Sequence, residues 1–336
     1  MSLLVHNPGM LASVQDLGRN GFASIGVARS GAADPLSLRV GNRLIGNPDS
    51  AAAIELILAG GSFEFTHALP IVLAGANANA TLLRRDGTRT PIHMWTPLAT
   101  LPGDVLTFGA IGGPDQGCRA YLCVMGGIDM PLVMNSRATQ VGAMTSGGEW
   151  SGGVGGLGNA PSAGTPLRAG DALATIARAE RARTRLIPAS LRAQCQESIT
   201  RRVLRITPGP QWSLLNAAAQ SALRAPRRVL DRFDRRGVRI APGIALESSA
   251  NAIPTQPTDV GFVQAPGAAE LIILGPDGPP TGGYPVVACV ASIDLPTLGQ
   301  LRPHDTIRFD LIDVPRAREL LHERWREIDR ALPEVR

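Results

Sequence analysis

The chain has 336 residues, of which 44% are hydrophobic and 18% charged, and its formal charge is +5. This composition is typical of a soluble globular protein, and the length allows one large or two medium domains. All 33 basic residues are arginines, because the sequence contains no lysine. The absence of lysine excludes a G-x-x-x-x-G-K-[ST] phosphate loop and a Schiff-base lysine on this chain.

Residues 13–55 combine frequent glycines with polar side chains, a pattern typical of a ligand site or a subunit contact. Arg19 in this segment can bind a carboxylate through two parallel hydrogen bonds. For each polar residue the alternative is a turn or a cap without a functional role. The candidate site residues of the segment are Gln15, Asp16, Arg19, Ser30, Gly31 and Asp34.

A helix is predicted over residues 34–46. Asp34 is a good N-cap and Pro35 suits the first helical position, while apolar residues follow at four-residue steps. Free N–H groups at the start of a helix can bind an anion. A carboxylate or phosphate could therefore dock near Ser30 and Gly31, unless Asp34 already fills that position.

Short apolar runs separated by turn residues predict a mainly β chain with few helices. The 38 glycines and 27 prolines agree with many turns. Residues 146–164 are so rich in glycine that they predict a loop, which could be a lid, a subunit contact or plain surface. The predicted strands include 62–65, 71–74, 271–274 and 286–291.

A weak repeat places an aspartate turn before an apolar strand at three points, in LPGDVLTF (101–108), LRAGDALA (167–174) and LRPHDTIRF (301–309). Such an aspartate is expected to accept hydrogen bonds from nearby backbone N–H groups. The repeat is compatible either with two similar barrels or with a common turn used three times.

Two further polar clusters lie outside the first segment. The first contains Ser136, Arg137 and Thr139. The second is Thr281-Gly282-Gly283-Tyr284, where the glycine N–H groups could cradle an oxyanion and the phenol could donate to a substrate carbonyl. Asp16, Asp34 and Tyr284 are the candidate catalytic groups, and the other residues are candidate substrate-binding groups.

The remaining helices are expected at 211–223 and at 314–331, where the second helix is amphipathic and is expected to pack on the last barrel. Residues 178–201 are predicted to form a charged, partly helical linker. The four cysteines show no C-x-x-C pairing and the five histidines no ligand spacing, so neither a disulfide nor a metal is expected. Without a signal peptide or a membrane-length apolar run, we expect a cytoplasmic protein that binds neither membrane nor nucleic acid.

Several motifs together resemble one protein family, which includes the C subunit of bacterial ATP-dependent 5-oxoprolinase, allophanate hydrolase subunit 2 and the carboxyltransferase A/B domain of urea carboxylase. The resemblance implies two cyclophilin-like β-barrel subdomains, which we expect at residues 1–200 and 201–336. The motifs are the segment 13–55, GCRAYLCVMGGIDMPLVMNSRAT (117–139), LRITPGPQ (204–211), DRRGVRI (234–240), GFVQAP (261–266), TGGYP (281–285) and LGQLRPHDTIRF (298–309).

The resemblance leaves three functions open. The first is a subunit of an ATP-dependent 5-oxoprolinase, which would open the lactam to glutamate with a subunit-B (kinase-inhibitor-like) homologue and possibly a subunit-A homologue. The second is a carboxyltransferase that passes a biotin-linked carboxyl group to a urea-like amide nitrogen; the DGP element at 277–279 resembles this branch. The third is a non-catalytic partner that sequesters a kinase inhibitor. ATP would act in the assembled complex, since this chain has no phosphate loop.

Overall fold

The computed structural model describes residues 3–144, 150–156, 164–176, 184–246 and 253–334. Within these ranges the chain is mainly β, with five α-helices and a closed seven-stranded barrel. The prediction of a mainly β fold with few helices is confirmed. The predicted glycine-rich loop and the start of the charged linker lie largely outside the described residues.

The first half of the chain forms two large sheets around one hydrophobic cluster. The strands are β1 (Leu3–Asn7), β2 (Ala12–Gln15), β3 (Ala53–Ile57), β4 (Ser62–Phe65), β5 (Leu69–Gly75), β6 (Thr81–Leu83), β7 (Arg89–Pro91), β8 (Leu98–Thr100), β9 (Val105–Thr107), β10 (Arg119–Val124), β11 (Ile128–Asp129), β12 (Ala143–Met144), β13 (Trp150–Ser151) and β14 (Ala172–Thr175). The seven-stranded sheet has the order β11-β14-β1-β4-β9-β6-β7, and the five-stranded sheet has the order β2-β3-β10-β5-β8.

The second half closes into a barrel with the order β15-β22-β19-β20-β17-β16-β23, around a second hydrophobic cluster. Closure leaves this barrel without a free strand edge. Its strands, with the separate pair β18 and β21, are β15 (Val203–Pro208), β16 (Arg227–Phe233), β17 (Gly237–Ala241), β18 (Gln256–Pro257), β19 (Phe262–Gln264), β20 (Leu271–Leu274), β21 (Thr281–Gly282), β22 (Val286–Val290) and β23 (Thr306–Leu311).

The helices are α1 (Pro35–Leu44), α2 (Ala189–Thr200), α3 (Ala217–Leu223), α4 (Leu295–Gln300) and α5 (Val314–Ala331). The first and last predicted helices are confirmed. The helix predicted at 211–223 is confirmed only over α3, because Asn216 accepts the Ala219 N–H as an N-cap and separates α3 from a short 3-10 turn at Trp212–Leu214. Ile328 of α5 lies in the cluster of the first half, so this helix does not pack on the second barrel alone.

The repeated aspartate turn has the same geometry at all three places. Asp104 accepts the Leu101 N–H at 2.7 Å, and Asp171 accepts the Arg168 N–H at 2.7 Å. Asp305 accepts the Arg302 N–H at 3.1 Å. Each turn leads into a strand, β9, β14 or β23. The predicted role of the aspartate is confirmed, whereas duplication of the two halves remains a prediction.

Candidate functional site

Asp16 joins two segments that are far apart in the sequence. Its carboxylate accepts the Gly18 N–H, the Ser136 hydroxyl and the Arg137 N–H, each at 2.7 Å. Three hydrogen bonds to a buried carboxylate are a strong structural tie. The structure thus places Asp16 as the group that holds residues 136–137 against the loop after β2.

The carbonyl oxygen of Thr139 is the second point of contact between these segments. It accepts hydrogen bonds from the Gln15 side-chain amide at 2.8 Å and from the Ser30 hydroxyl at 3.3 Å. The Gln15 side chain is fully buried, and its Oε1 has no hydrogen-bond partner among the described residues. Three of the predicted groups, around Asp16, Ser30 and Ser136, are therefore brought together.

Arg19 is the most unusual residue of this cluster, since it is only 1% exposed and no carboxylate of the described residues lies within ion-pair distance. Nη2 donates to the Ala138 carbonyl, whereas Nε and Nη1 have no partner in the described part of the chain. Burial lowers the pKa of Arg19 below its ordinary value, and the charges of Asp16 and Asp277 only partly offset this effect. A buried donor without a partner calls for an explanation, and a bound ligand is one such explanation when the residue borders a cleft.

Arg19 borders a cleft of about 350 Å³ between the two halves of the chain. One wall consists of the loop after β2, and the other consists of second-half residues around Thr258 and Pro276. Such a concave site between structural units is a common place for a small ligand. The described residues that line the cleft include one carboxylate, Asp259, and neither histidine nor cysteine.

The loop at Ser30 and Gly31 closes tightly on the segment that carries Arg19. Both residues have a positive φ, 56° and 90°. A Cβ on Gly31 would lie 2.6 Å from the backbone nitrogen of Gly18. The second half holds the same loop, because the Ser30 N–H donates to the Pro276 carbonyl at 2.8 Å.

Gly31→Ala is therefore expected to destabilise the protein by about 2–3 kcal/mol, since the left-handed backbone costs about 1–2 kcal/mol and the clash adds to it. Gly26→Ala is the matched control, because Gly26 also has a positive φ of 83° but its Cβ would meet no atom within 4 Å. Urea unfolding of both variants checks the difference. Equal losses would contradict the close contact with Gly18.

Asp34 caps α1 and is fully buried. Its carboxylate accepts the Ser37 N–H at 2.9 Å, the Ser37 hydroxyl at 2.6 Å and the Gln300 amide at 2.7 Å. Burial raises the pKa of Asp34 above its ordinary value, while these hydrogen bonds act in the opposite direction. The Asp34 carboxylate itself accepts the hydrogen bond at the N-terminus of α1, so no free anion site is left there.

A buried ion cluster that the sequence did not predict joins the two halves. Arg235 of the second half donates to Glu55 at 2.5 Å, to Asp277 at 2.8 and 3.1 Å and to the Gly31 carbonyl at 2.6 Å. Glu55 in turn accepts the Tyr121 hydroxyl at 2.7 Å. The nearby charges hold the pKa of Glu55 below its ordinary value against the opposing effect of burial. The cluster thus fixes the loop beside Arg19 from the side of the second barrel.

The fourth predicted group, Thr281 to Tyr284, lies apart from Arg19. Thr281 and Gly282 form β21, and the Gly283 carbonyl accepts the Ile253 N–H at 3.0 Å. Tyr284 is 45% exposed and lines a separate groove of about 580 Å³. The structure places this segment outside the lining of the Arg19 cleft, which the chain leaves after Pro280.

Two further findings bound the chemistry of the chain. In the described ranges no group of three or more His, Cys, Asp and Glu side chains could hold a metal ion. No helix in the same ranges combines the length and the apolar character needed to cross a membrane. The lining of the cleft itself contains two guanidinium groups, Arg19 and Arg29, together with Thr258 and Asp259.

The chain thus combines a two-sheet unit and a closed barrel with a cleft between them. The chain matches the family described as carboxyltransferase domain, subdomain A and B, over residues 25–311, and it belongs to this family. Its relatives are components of enzyme systems, so the chain has an enzyme-associated role.

Known proteins of two kinds are similar to the chain. It is 32% identical over 311 residues to the C subunit of 5-oxoprolinase from Escherichia coli K12, covering 91% of this chain and 90% of the relative. It is 31% identical over 329 residues to urea amidolyase of Saccharomyces cerevisiae, covering 93% of this chain but 17% of that protein. The crystal structure of Kluyveromyces lactis urea carboxylase superposes with a TM-score of 0.82 at 28% identity, over 98% of this chain and 29% of that chain.

Proposed function

We propose that the chain is a subunit of a 5-oxoprolinase and works with a subunit-B homologue, and possibly with a subunit-A homologue. The proposal is supported by the match to the C subunit of the Escherichia coli 5-oxoprolinase, which runs over nine-tenths of both chains. The urea amidolyase match, by comparison, covers only a small part of a much longer protein.

The single observation that carries the proposal is Arg19, which borders the cleft and whose buried Nε and Nη1 have no partner among the described residues. 5-Oxoproline is a small cyclic amide with one carboxylate, and a guanidinium binds a carboxylate through two parallel N–H donors. In the proposed complex, Arg19 binds the substrate carboxylate, and Nη1, which has no partner among the described residues, supplies one of the N–H donors. Ala138 holds Nη2, so the guanidinium is oriented before the substrate arrives.

The rest of the catalytic machinery is assigned to the partner. The lining of the cleft offers no nucleophile–base pair, and Asp259 is its one carboxylate in the described part of the chain. The role of this chain is therefore to bind and orient the substrate, while water is the nucleophile that opens the lactam to glutamate.

Two common features of a triphosphate site are missing from this chain, a phosphate-loop lysine and a free helix N-terminus at α1. The chain has no lysine, and the N-terminus of α1 is filled by Asp34. ATP is thus assigned to other subunits of the complex, and no step of this chain involves it. The proposed complex is cytoplasmic, as expected for an enzyme of small-molecule metabolism that uses ATP.

Carboxyl transfer from a biotin-linked carboxyl group to an amide nitrogen is the second candidate function. It is favoured by the superposition on urea carboxylase. The neighbouring genes separate the two: subunit-A and subunit-B homologues favour oxoprolinase, and a biotin carboxylase favours carboxyl transfer.

The experiment is reconstitution. The purified chain alone is expected to hydrolyse no 5-oxoproline, whereas the chain co-purified with its subunit-B homologue, and with a subunit-A homologue if required, is expected to form glutamate in an ATP-dependent reaction. Glutamate release is measured directly. A complex that instead carboxylates urea from carboxybiotin would contradict the proposal, and so would full activity of the single chain.

A further inference from the structure

The groove beside Tyr284 is separate from the Arg19 cleft and contains its own polar groups. It lies on the second barrel, has a volume of about 580 Å³ and is lined on its apolar side by residues such as Phe233, Ile272 and Leu274. The Tyr284 hydroxyl has no hydrogen-bond partner among the described residues and borders this space. A groove with an apolar floor and a few free polar groups has the composition of a small-molecule site.

Gln264 supplies the second free group and is the strongest sign of a ligand. Its side chain lines the groove although the residue is only 4% exposed. No hydrogen bond joins its side-chain amide to another described residue, so the amide is available to a ligand in the groove. The missing side chain of Gly282 leaves space next to the Gln264 amide, because a Cβ at position 282 would lie 2.8 Å from the Gln264 Nε2.

The charges in and around the groove nearly balance, and they leave one guanidinium, Arg236, available for a carboxylate. Arg232 and Arg239 both pair with Glu270, whereas the guanidinium of Arg236 pairs with no carboxylate of the described residues. Asp231 and Asp234 also line the groove, and their charges oppose a polyphosphate or another multiply charged anion.

We propose that this groove is a second ligand site, which binds a small monocarboxylate that also carries an amide carbonyl. Arg236 binds the carboxylate. The Tyr284 hydroxyl and the Gln264 amide donate to the carbonyl, and the apolar floor contacts the body of the ligand. The site is independent of the proposed oxoprolinase function, because it uses none of the residues around Arg19.

Calorimetric titration tests the site in an Arg19→Gln background, which removes the first carboxylate site. The probes are 5-oxoproline and N-acetylalanine, two monocarboxylates with an amide carbonyl, and ATP. We expect one equivalent of either monocarboxylate to bind and ATP not to compete. Adding Arg236→Gln is expected to weaken binding at least about tenfold, and adding Tyr284→Phe about three- to tenfold.

Arg232→Gln is the matched control, since Arg232 lines the same groove but is already paired with Glu270, and it is expected to leave binding nearly unchanged. The proposal is overturned if neither monocarboxylate binds, or if Arg236→Gln binds as tightly as its parent. Arg236 and Tyr284 are both exposed, so the melting temperatures are expected to stay close to that of the parent. N-Acetylalanine binding does not depend on oxoprolinase activity, so failure of the proposed function leaves this test intact.

Discussion

Arg235→Met is expected to destabilise the protein by about 3–5 kcal/mol, because removing one partner of a buried ion pair leaves the other charge uncompensated. In this protein Asp277 loses its guanidinium partner, Glu55 keeps only Arg119 at 3.6 Å, and the Gly31 carbonyl loses a donor. The two halves of the chain would lose a principal polar connection at the same time. Urea unfolding monitored by tryptophan fluorescence measures the loss.

Arg232→Met is the matched control for this prediction. Arg232 also pairs with a carboxylate, Glu270, but it is 69% exposed, and exposed pairs contribute only about 0–1 kcal/mol. We expect its unfolding midpoint to stay close to that of the wild type. A loss below about 1 kcal/mol for Arg235→Met would contradict the assigned role of the buried cluster.

Arg19→Met is expected to have the opposite profile, with little loss of stability and a large loss of activity. A buried guanidinium without a carboxylate partner carries a desolvation penalty in the folded state, so an apolar side chain of similar length should be tolerated or even stabilising. In the reconstituted complex, kcat/KM for 5-oxoproline is expected to fall about 10- to 100-fold, because a charge-assisted hydrogen bond contributes about 1.5–3 kcal/mol.

Arg227→Met provides the control for Arg19→Met. Arg227 is also buried, its Nε also lacks a partner among the described residues, and burial lowers its pKa as well. It lies at the start of β16 in the second barrel and donates to the Ala222 carbonyl, away from the cleft. The two variants should resemble each other in thermal melts and differ in kcat/KM. If both lose activity equally, Arg19 has no special relation to the substrate.

The pairing of buried arginines was the part of the site that the sequence could not predict. Arg19 and Arg235 both lie in motifs rich in polar residues and glycine, and nothing local distinguishes them. Arg235 meets Glu55, which is 180 positions away in the chain, whereas Arg19 donates to a backbone carbonyl and borders the cleft. Their different partners depend on how the two halves dock, which is a long-range property of the fold.

Features with local causes were predicted well. Helix α1 follows from an N-cap, a proline and a four-residue apolar repeat, and the aspartate turns follow from side chains that bond backbone three residues away. The separation of the segment around Tyr284 from the lining of the cleft has a related cause. Thr281 and Pro280 are neighbours in sequence, yet Pro280 borders the cleft and the chain then pairs with β18 and turns toward the groove of Tyr284.

The most direct test of the account compares 5-oxoproline with its uncharged carboxamide as substrates of the reconstituted complex. If Arg19 binds the substrate carboxylate, the wild type prefers the acid over the carboxamide by at least about tenfold in kcat/KM. The Arg19→Gln variant then loses most of that preference, because neither substrate can make the charged contact. An unchanged preference in Arg19→Gln would show that the carboxylate is bound elsewhere and would contradict the central claim.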